Sequence, residues 1–416
     1  MIATWSAFRS FDRPSQVLMV NQFTINLGFY MLMPYLSGYL SVELALAGWA
    51  VGLILGIRNF SQQGMFLIGG TLADRLGYKP LIVAGCILRT AGFALLATST
   101  SLGALIAASA ATGFAGALFN PAVRAYLAAD AKERRVEAFA TFNIFYQAGI
   151  VLGPLVGLAL MAIDFQATSL AAAAVFGVLS IIQIVTLPRD RREPPTETDA
   201  RQSILQDWRT VVRNRPFTLF AAAMIGSYVL SFQVYLVLPL QADHITTNPH
   251  AATALVAGVF VVTGVIAVLG QLRITAWLRA RTTPMRSIVA GLIVMGASFL
   301  PPLLVPTADT AGTAAAAIAL LASAAGLAVA TAAVFPFEMD TVVTLSRDRL
   351  VATHYGLYNT IVGVGILIGN LATGALFSVA TDHGMQALMW AALVLIGVLS
   401  AWAVHRLSRR AAFVPA

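Results

Sequence analysis

The chain has 416 residues, 58% of them hydrophobic and only 11% charged, with a formal net charge of +8. A water-soluble domain carries about a quarter charged residues, so this composition excludes a soluble globule and selects a bilayer as the solvent. The single cysteine, Cys86, excludes a disulfide framework and a cysteine-based metal site.

In chain order, residues 1–16 carry Arg9 and Arg13 and lead into an apolar run. That run is too long for a signal-peptide core and shows no small-residue cleavage site, so the first span is expected to be retained. A span needs about 20 mostly apolar residues. Twelve such stretches follow: 17–40, 49–72, 81–99, 102–125, 138–162, 168–187, 217–240, 252–276, 287–306, 312–336, 351–379 and 385–405. The Lys and Arg residues test the count. They occupy the N-terminal segment (Arg9, Arg13), the 2–3 loop (Arg75, Lys79) and the 4–5 region (Arg124, Lys132, Arg134, Arg135). The 6–7 loop holds Arg189, Arg191, Arg192, Arg201, Arg209, Arg213 and Arg215, and the 8–9 region holds Arg273, Arg279, Arg281 and Arg286. Arg347 and Arg349 stand in the 10–11 loop and Arg406, Arg409 and Arg410 in the tail, while the opposite loops have none. The positive charge therefore reads as membrane topology rather than nucleic-acid binding. By the positive-inside rule both termini are expected in the cytoplasm, with the chain in a bacterial inner membrane.

The longest polar stretch, 188–216, divides the chain into an N-terminal six-helix bundle (1–187) and a C-terminal one (217–416). It begins as a linker. Ile204, Leu205, Trp208, Val211 and Val212 then recur at helical spacing with Arg201, Arg209 and Arg213 among them. That pattern predicts an amphipathic helix on the inner membrane surface, with Asp199 as its cap. A helix that only tethers the halves is the plainer reading. The halves resemble each other: Tyr30-Met-Leu-Met-Pro34 pairs with Tyr235-Leu-Val-Leu-Pro239, Arg134-Arg-Val-Glu-Ala-Phe with Arg349-Leu-Val-Ala-Thr-His, and Gly149-x-x-x-Gly153 with Gly365-x-x-x-Gly369. Two six-helix repeats suit a transporter that rocks one half against the other about a midplane site.

The 2–3 loop reads Gly70-Thr-Leu-Ala-Asp74-Arg75-Leu-Gly77-Tyr-Lys79. Gly70 lets helices approach, Gly77 permits a tight turn, and Arg75 and Lys79 hold the segment inside. Asp74 can sit at a helix N-terminus of the other half or pair with an arginine, latching an inner gate. The loop resembles the signature loop of the major facilitator superfamily, G-x-L-A-D-R-x-G-x-K, at every fixed position. The equivalent segment of the second half, Ala276 to Arg286, keeps Arg279 and Arg281 but lacks the acid and the turn glycine. In span 5, Gly149-Ile-Val-Leu-Gly153-Pro154-Leu-Val-Gly157 is similar to the G-x-x-x-G-P-x-x-G segment of the antiporter branch. Small residues there make a close-packing face and Pro154 bends the helix, although generic helix packing uses the same residues. The span 4 arginine that the family often carries is absent, with Ser109 standing four residues before Gly113. Gly56-Ile-Arg58-Asn-Phe-Ser-Gln62-Gln63-Gly64 and the run from Tyr228 to Pro239 resemble MdtH-type multidrug exporters. The resemblance implies an all-α integral membrane protein of twelve helices acting as a drug:H⁺ antiporter. Such exporters often place a carboxylate in span 1 near where this chain has Asn21, which cannot titrate.

Charges at membrane depth default to functional hypotheses. Arg58 in span 2 reads equally as a gate, a holder of water or an anionic group, and a helix–helix anchor. Arg89 in span 3 reads as structural, because that span is often peripheral in the fold. No Asp or Glu lies mid-membrane in the first half, so Glu338 and Asp340, placed at the inner end of span 10 after Pro336, are the proton-coupling candidates. They read equally as solvated loop acids or partners of Arg124. By resemblance the cavity walls are spans 1, 4, 7 and 10, with 2, 5, 8 and 11 beside them. They offer Asn21, Phe29, Arg58, Gln62 and Asn143, and further along Tyr146, Gln147, Tyr228, Gln233 and Asn359. Mostly apolar walls with scattered amides suit a bulky amphiphilic substrate. His244, His250 and His383, expected in outer loops, lack metal-ligand spacing. No Walker sequence, nucleophile elbow or metal signature appears. The expectation is a monomeric, cofactor-free, non-enzymatic transporter of small molecules and protons. An importer or facilitator of a lipid or metabolite, and a non-transporting membrane sensor, are the alternatives.

Overall fold

The computed structural model describes residues 2–32, 36, 39–46, 48–161, 164–188, 203–246, 249–305 and 312–409. Its described residues are helical, with turns and no strand. The helices are α1 (Ile2–Arg9), α2 (Arg13–Tyr30), α3 (Gly48–Gln63), α4 (Phe66–Leu76), α5 (Tyr78–Thr98), α6 (Leu102–Ala131), α7 (Arg135–Met161) and α8 (Phe165–Thr186). After the linker come α9 (Ile204–Arg213), α10 (Arg215–Ser231), α11 (Val237–Ile245), α12 (Pro249–Arg281), α13 (Pro284–Ala297), α14 (Leu300–Leu304), α15 (Thr313–Ser346), α16 (Val351–Asp382) and α17 (Gln386–Ser408). Among the described residues, nine stretches are long and apolar enough to cross a bilayer. One of them, Leu102–Gly157, joins α6 to most of α7 and so holds two spans. With α2 and the α3–α4 pair, this accounts for twelve. Leu367, Ile368 and Leu371 on α16 are more than 60% exposed, a surface that water would not tolerate and hydrocarbon does.

Contacts gather the chain into two compact units. The first, here the N-unit, holds residues 2–214 with 342–360. The second, the C-unit, holds residues 215–341 with 361–416.

Several spans differ from the sequence expectation at their ends, and prolines explain most of the differences. Span 7 breaks into α10, a tight turn at Phe232–Tyr235, and α11. Pro239 cannot donate to the carbonyl four residues back, at Tyr235, and its ring crowds that turn. Span 9 likewise breaks at Ser298-Phe299, ahead of Pro301 and Pro302. Span 2 breaks at Gly64-Met65, where the Gly64 N–H closes a turn on the Phe60 carbonyl at 2.8 Å. In span 1, α2 ends at Tyr30, and a wide helical turn stands at Tyr39–Glu43. Span 10 shows the opposite effect, since α15 runs through Pro336 to Ser346. The carbonyl that Pro336 frees, on Ala332, accepts a 2.9 Å bond from the Gln271 side-chain amide of α12. The backbone group is thus satisfied and the helix continues. Glu338 and Asp340 therefore lie inside α15, past its proline rather than beyond its end.

Polar caps set other boundaries. Ser101 caps α6 and Asp164 caps α8. The linker helix α9 is capped by Ser203 in a reciprocal box with Gln206, in place of the expected Asp199, which lies outside the described residues. His244 falls inside α11 rather than in a loop, and His250 in the first turn of α12.

Candidate functional site

The signature loop joins α4 to α5, and each of its fixed polar residues has a partner in the N-unit. Asp74 in the last turns of α4 faces the start of α16. Its Oδ2 accepts from the Thr353 backbone N–H at 2.6 Å and from the Thr353 hydroxyl at 2.7 Å. Its Oδ1 accepts from the Ala352 N–H at 3.2 Å. The first N–H groups of a helix have no partner within it and carry the positive end of the dipole, so a carboxylate there is a charge-assisted cap. The approach is possible because Gly70, one turn earlier, has no side chain. A Cβ there would run into the Ala352 carbonyl oxygen, and one at Gly356 into the Phe66 carbonyl oxygen. Gly77 sits at φ +94°, a conformation that side chains resist, and turns the chain from α4 into α5.

The two basic residues of the loop have separate tasks. Arg75 donates from Nε at 2.9 Å and from Nη2 at 2.7 Å to one oxygen of Asp207 on α9. Beside it the Trp208 indole N–H donates to the Thr71 hydroxyl at 2.8 Å. The linker helix therefore docks on α4, and the purely tethering reading does not describe it. Lys79 Nζ donates to the carbonyls of Ile184 and Leu187, at 2.8 and 2.5 Å, and so caps the C-terminus of α8.

Further polar contacts fix residues 342–360 in the same unit. Arg124 on α6 donates to Asn359 Oδ1 at 2.9 Å, and Arg135 pairs with Asp348 at 2.5 Å. Asn214 Nδ2 donates to the Leu345 carbonyl at 2.8 Å and stands 3.2 Å from His354 Nε2. Thr353 and Asp207 escaped the sequence reading, and Trp208 entered it only on the apolar face of the linker helix. The one available signal was the position of Thr353 in the first turn of span 11.

The glycines of the second motif bring α7 onto α2. A Cβ at Gly149 would lie 2.7 Å from Asn26 Cβ, and one at Gly153 would lie 2.7 Å from Tyr30 Cβ. Asn26 then bonds across the contact, donating to the Tyr146 carbonyl at 2.8 Å. Gly157 is buried and Pro154 stands inside α7. In the C-unit the corresponding Gly365 and Gly369 of α16 sit against Ile225 and Val229 of α10.

The remaining predicted cavity residues separate by unit. In the N-unit, Arg58 on α3 holds its guanidinium 4.4 Å from the Phe29 ring centroid. Arg89 on α5 faces the same ring at 5.4 Å and Phe176 at 5.5 Å. Gln62 and the Arg89 guanidinium converge on Gly116, where a Cβ would meet them at 3.3 and 3.2 Å. Asn143 is buried, and Tyr146 and Gln147 are half-buried on α7. Asn21 is buried without a partner for Nδ2. It lines a groove of about 880 Å³ between α2 and α8 with Arg13, Val17, Val20, Thr24 and Val178. In the C-unit, Tyr228 is half-buried on α10, and Gln233 is fully buried and donates to the Val229 carbonyl at 2.6 Å. Glu338 is 3% exposed, so it is no solvated loop acid, and Asp340 is half-buried. Among the described residues no three His, Cys, Asp or Glu side chains gather to hold a metal.

A helical membrane protein with a signature loop capping a helix in this way has the build of a major facilitator. The family model described as Major Facilitator Superfamily matches residues 18–370, and the chain belongs to that family of transporters, which is not a family of enzymes. It is a multi-pass membrane protein with the major facilitator fold.

Among its relatives, the chain is 59% identical over 400 residues to the "uncharacterized MFS-type transporter Rv0849" of Mycobacterium tuberculosis (strain ATCC 25618 / H37Rv), covering 96% of this chain and 94% of that one. It is 27% identical over 390 residues to the multidrug resistance protein MdtH of Photorhabdus laumondii subsp. laumondii, covering 94% and 93%. Among solved structures it superposes on the transporter FucP in the outward conformation with a TM-score of 0.75 at 15% identity, covering 97% and 100%. A peptide transporter of the POT family gives 0.66 at 17%, covering 96% and 97%. At those identities the likeness is one of fold.

Proposed function

We propose that the chain exports drug-like or amphiphilic small molecules in exchange for protons, by alternating access, as a monomer in a bacterial inner membrane with both termini in the cytoplasm. The bundles 1–187 and 217–416, joined by 188–216, are the rocking bodies. The observation that carries this reading is the Asp74 clamp on Thr353 and Ala352. A polar cap in the signature loop can be made and broken without rebuilding a core, which is what a gate needs. The direction of transport follows the MdtH relatives. Glu338, buried in α15, and Asp340 are the groups proposed to carry the proton.

The test is dye accumulation in cells expressing the protein, with and without a protonophore. Export predicts lower accumulation that rises when the proton gradient collapses. Unchanged accumulation across a chemically varied dye panel would sink the broad exporter reading. Asn21 favours a second reading, a lipid or metabolite carrier, because it leaves span 1 without a titratable group.

A further inference from the structure

Two arginines of the N-unit lie at membrane depth without a counter-ion. Arg89 is 5% exposed and has no hydrogen-bond or ion-pair partner among the described residues. Among the described residues Arg58 donates only to the side chain of its neighbour Asn59, at 3.0 Å, and its Nε is buried and has no hydrogen-bond partner there. Both guanidiniums face the Phe29 ring, which bounds their separation to the sum of the two ring distances. Gln62 stands with Arg89 at the small surface left by Gly116.

The described carboxylates of the unit are all engaged elsewhere or exposed. Asp74 holds Thr353, Asp130 accepts from Ser15, Glu137 pairs with Arg134, Asp207 with Arg75, Asp348 with Arg135, and Asp164 caps α8. Asp12, Glu43 and Glu133 are exposed. An aromatic face attracts a cation but supplies no charge, so ring contacts leave two positive charges uncompensated. Buried arginines are otherwise paired, and in membranes an unpaired one marks a ligand path.

We propose that Arg58 and Arg89, with Gln62 beside them and Phe29 beneath, form a seat for the carboxylate or sulfonate of an amphiphilic organic anion. This deepens the transport reading above by assigning a substrate class, and it rests on that reading. Guanidinium forks match planar oxyanions.

The experiment uses the full-length protein in lipid nanodiscs and two fluorescent probes, dansylglycine and its neutral methyl ester. The carboxylate should bind about tenfold or more tighter than the ester, the usual worth of a hydrogen-bonded charge. Arg58→Gln and Arg89→Gln should each remove that preference, bringing the carboxylate's affinity down to that of the ester. If Arg89→Gln fails to fold, Arg58→Gln, at a less buried position, carries the comparison. Displacement by inorganic sulfate would show that the charge alone is recognised. Retained probe in sulfate, with the preference intact, would show that the organic body is required. Equal affinity for acid and ester, or a preference that survives Arg58→Gln, overturns the seat. Proton-driven movement of a cationic dye in proteoliposomes without any such preference would refute the anion seat and spare the transporter reading. Anion binding with no transport of any probe would do the reverse.

Discussion

Replacing Asp74 by Asn keeps the shape of the side chain and removes its charge. The carboxylate uses both oxygens, one for the Thr353 N–H and hydroxyl at 2.6 and 2.7 Å and the other for the Ala352 N–H at 3.2 Å. An amide offers one acceptor and turns a donor toward the second site, so one bond is lost and the rest lose their ionic character. A charge at a helix N-terminus is worth about 0.3–1 kcal/mol. A net hydrogen bond is worth about 1 kcal/mol. Together they give about 1–2 kcal/mol, a factor of roughly 5–30 in the clamped-to-open ratio. Hydrogen exchange of the amides at 351–356, followed by mass spectrometry on the full-length protein, reads that ratio directly. Exchange there should quicken by the same factor while the buried helices keep their protection. The pair with Thr353→Val should be non-additive, since both changes remove one contact. Unaltered exchange at 351–356 in a folded Asp74→Asn protein would mean the clamp carries no free energy, and the gate argument would fail.

Three further perturbations follow from the same geometry. Gly70→Ala forces a methyl into the Ala352 carbonyl; it should cost about 1–3 kcal/mol in thermal stability and expose the start of α16 to exchange. Asp207 is 6% exposed in its pair and Arg75 is 31% exposed. Arg75→Ala, which strands the buried acid, should therefore loosen α9 more than Asp207→Asn in limited proteolysis. Gln271→Leu orphans the Ala332 carbonyl and should lower stability by about 1–3 kcal/mol. The loss should shrink in Pro336→Ala, where the restored N–H fills the carbonyl, and an equal loss in both backgrounds would refute the account.

The twelve spans were legible because hydrocarbon demands long apolar runs and because lysine and arginine mark one side of them. Their ends were not, since each depended on what a distant side chain did. Pro336 looks like a stop until Gln271 takes up the freed carbonyl, 61 positions earlier than Ala332. Ahead of Pro239, span 7 instead breaks into α10 and α11. The signature loop announced an acid able to cap a helix N-terminus, and Gly70 and Gly77 announced close approach and a turn. The partners were invisible, because Thr353 lies 279 positions from Asp74 and Asp207 lies 132 from Arg75. Arg89 read as structural from the usual periphery of span 3, and its ring contacts with Phe29 and Phe176 were not legible in the sequence. No periodicity in a helix apolar on nearly every face reveals which side turns in.

The two basic residues of the signature loop have a consequence for protein engineering. Lys79 fastens the chain where it leaves α8, at Leu187, and Arg75 fastens it where it re-enters at Asp207. The two anchor points are thus held from one short loop. Loop closure grows costly only slowly with length. A fluorescent protein or an affinity tag grafted into 189–202 should leave both anchors in place, giving a handle on the transporter that does not touch its signature loop.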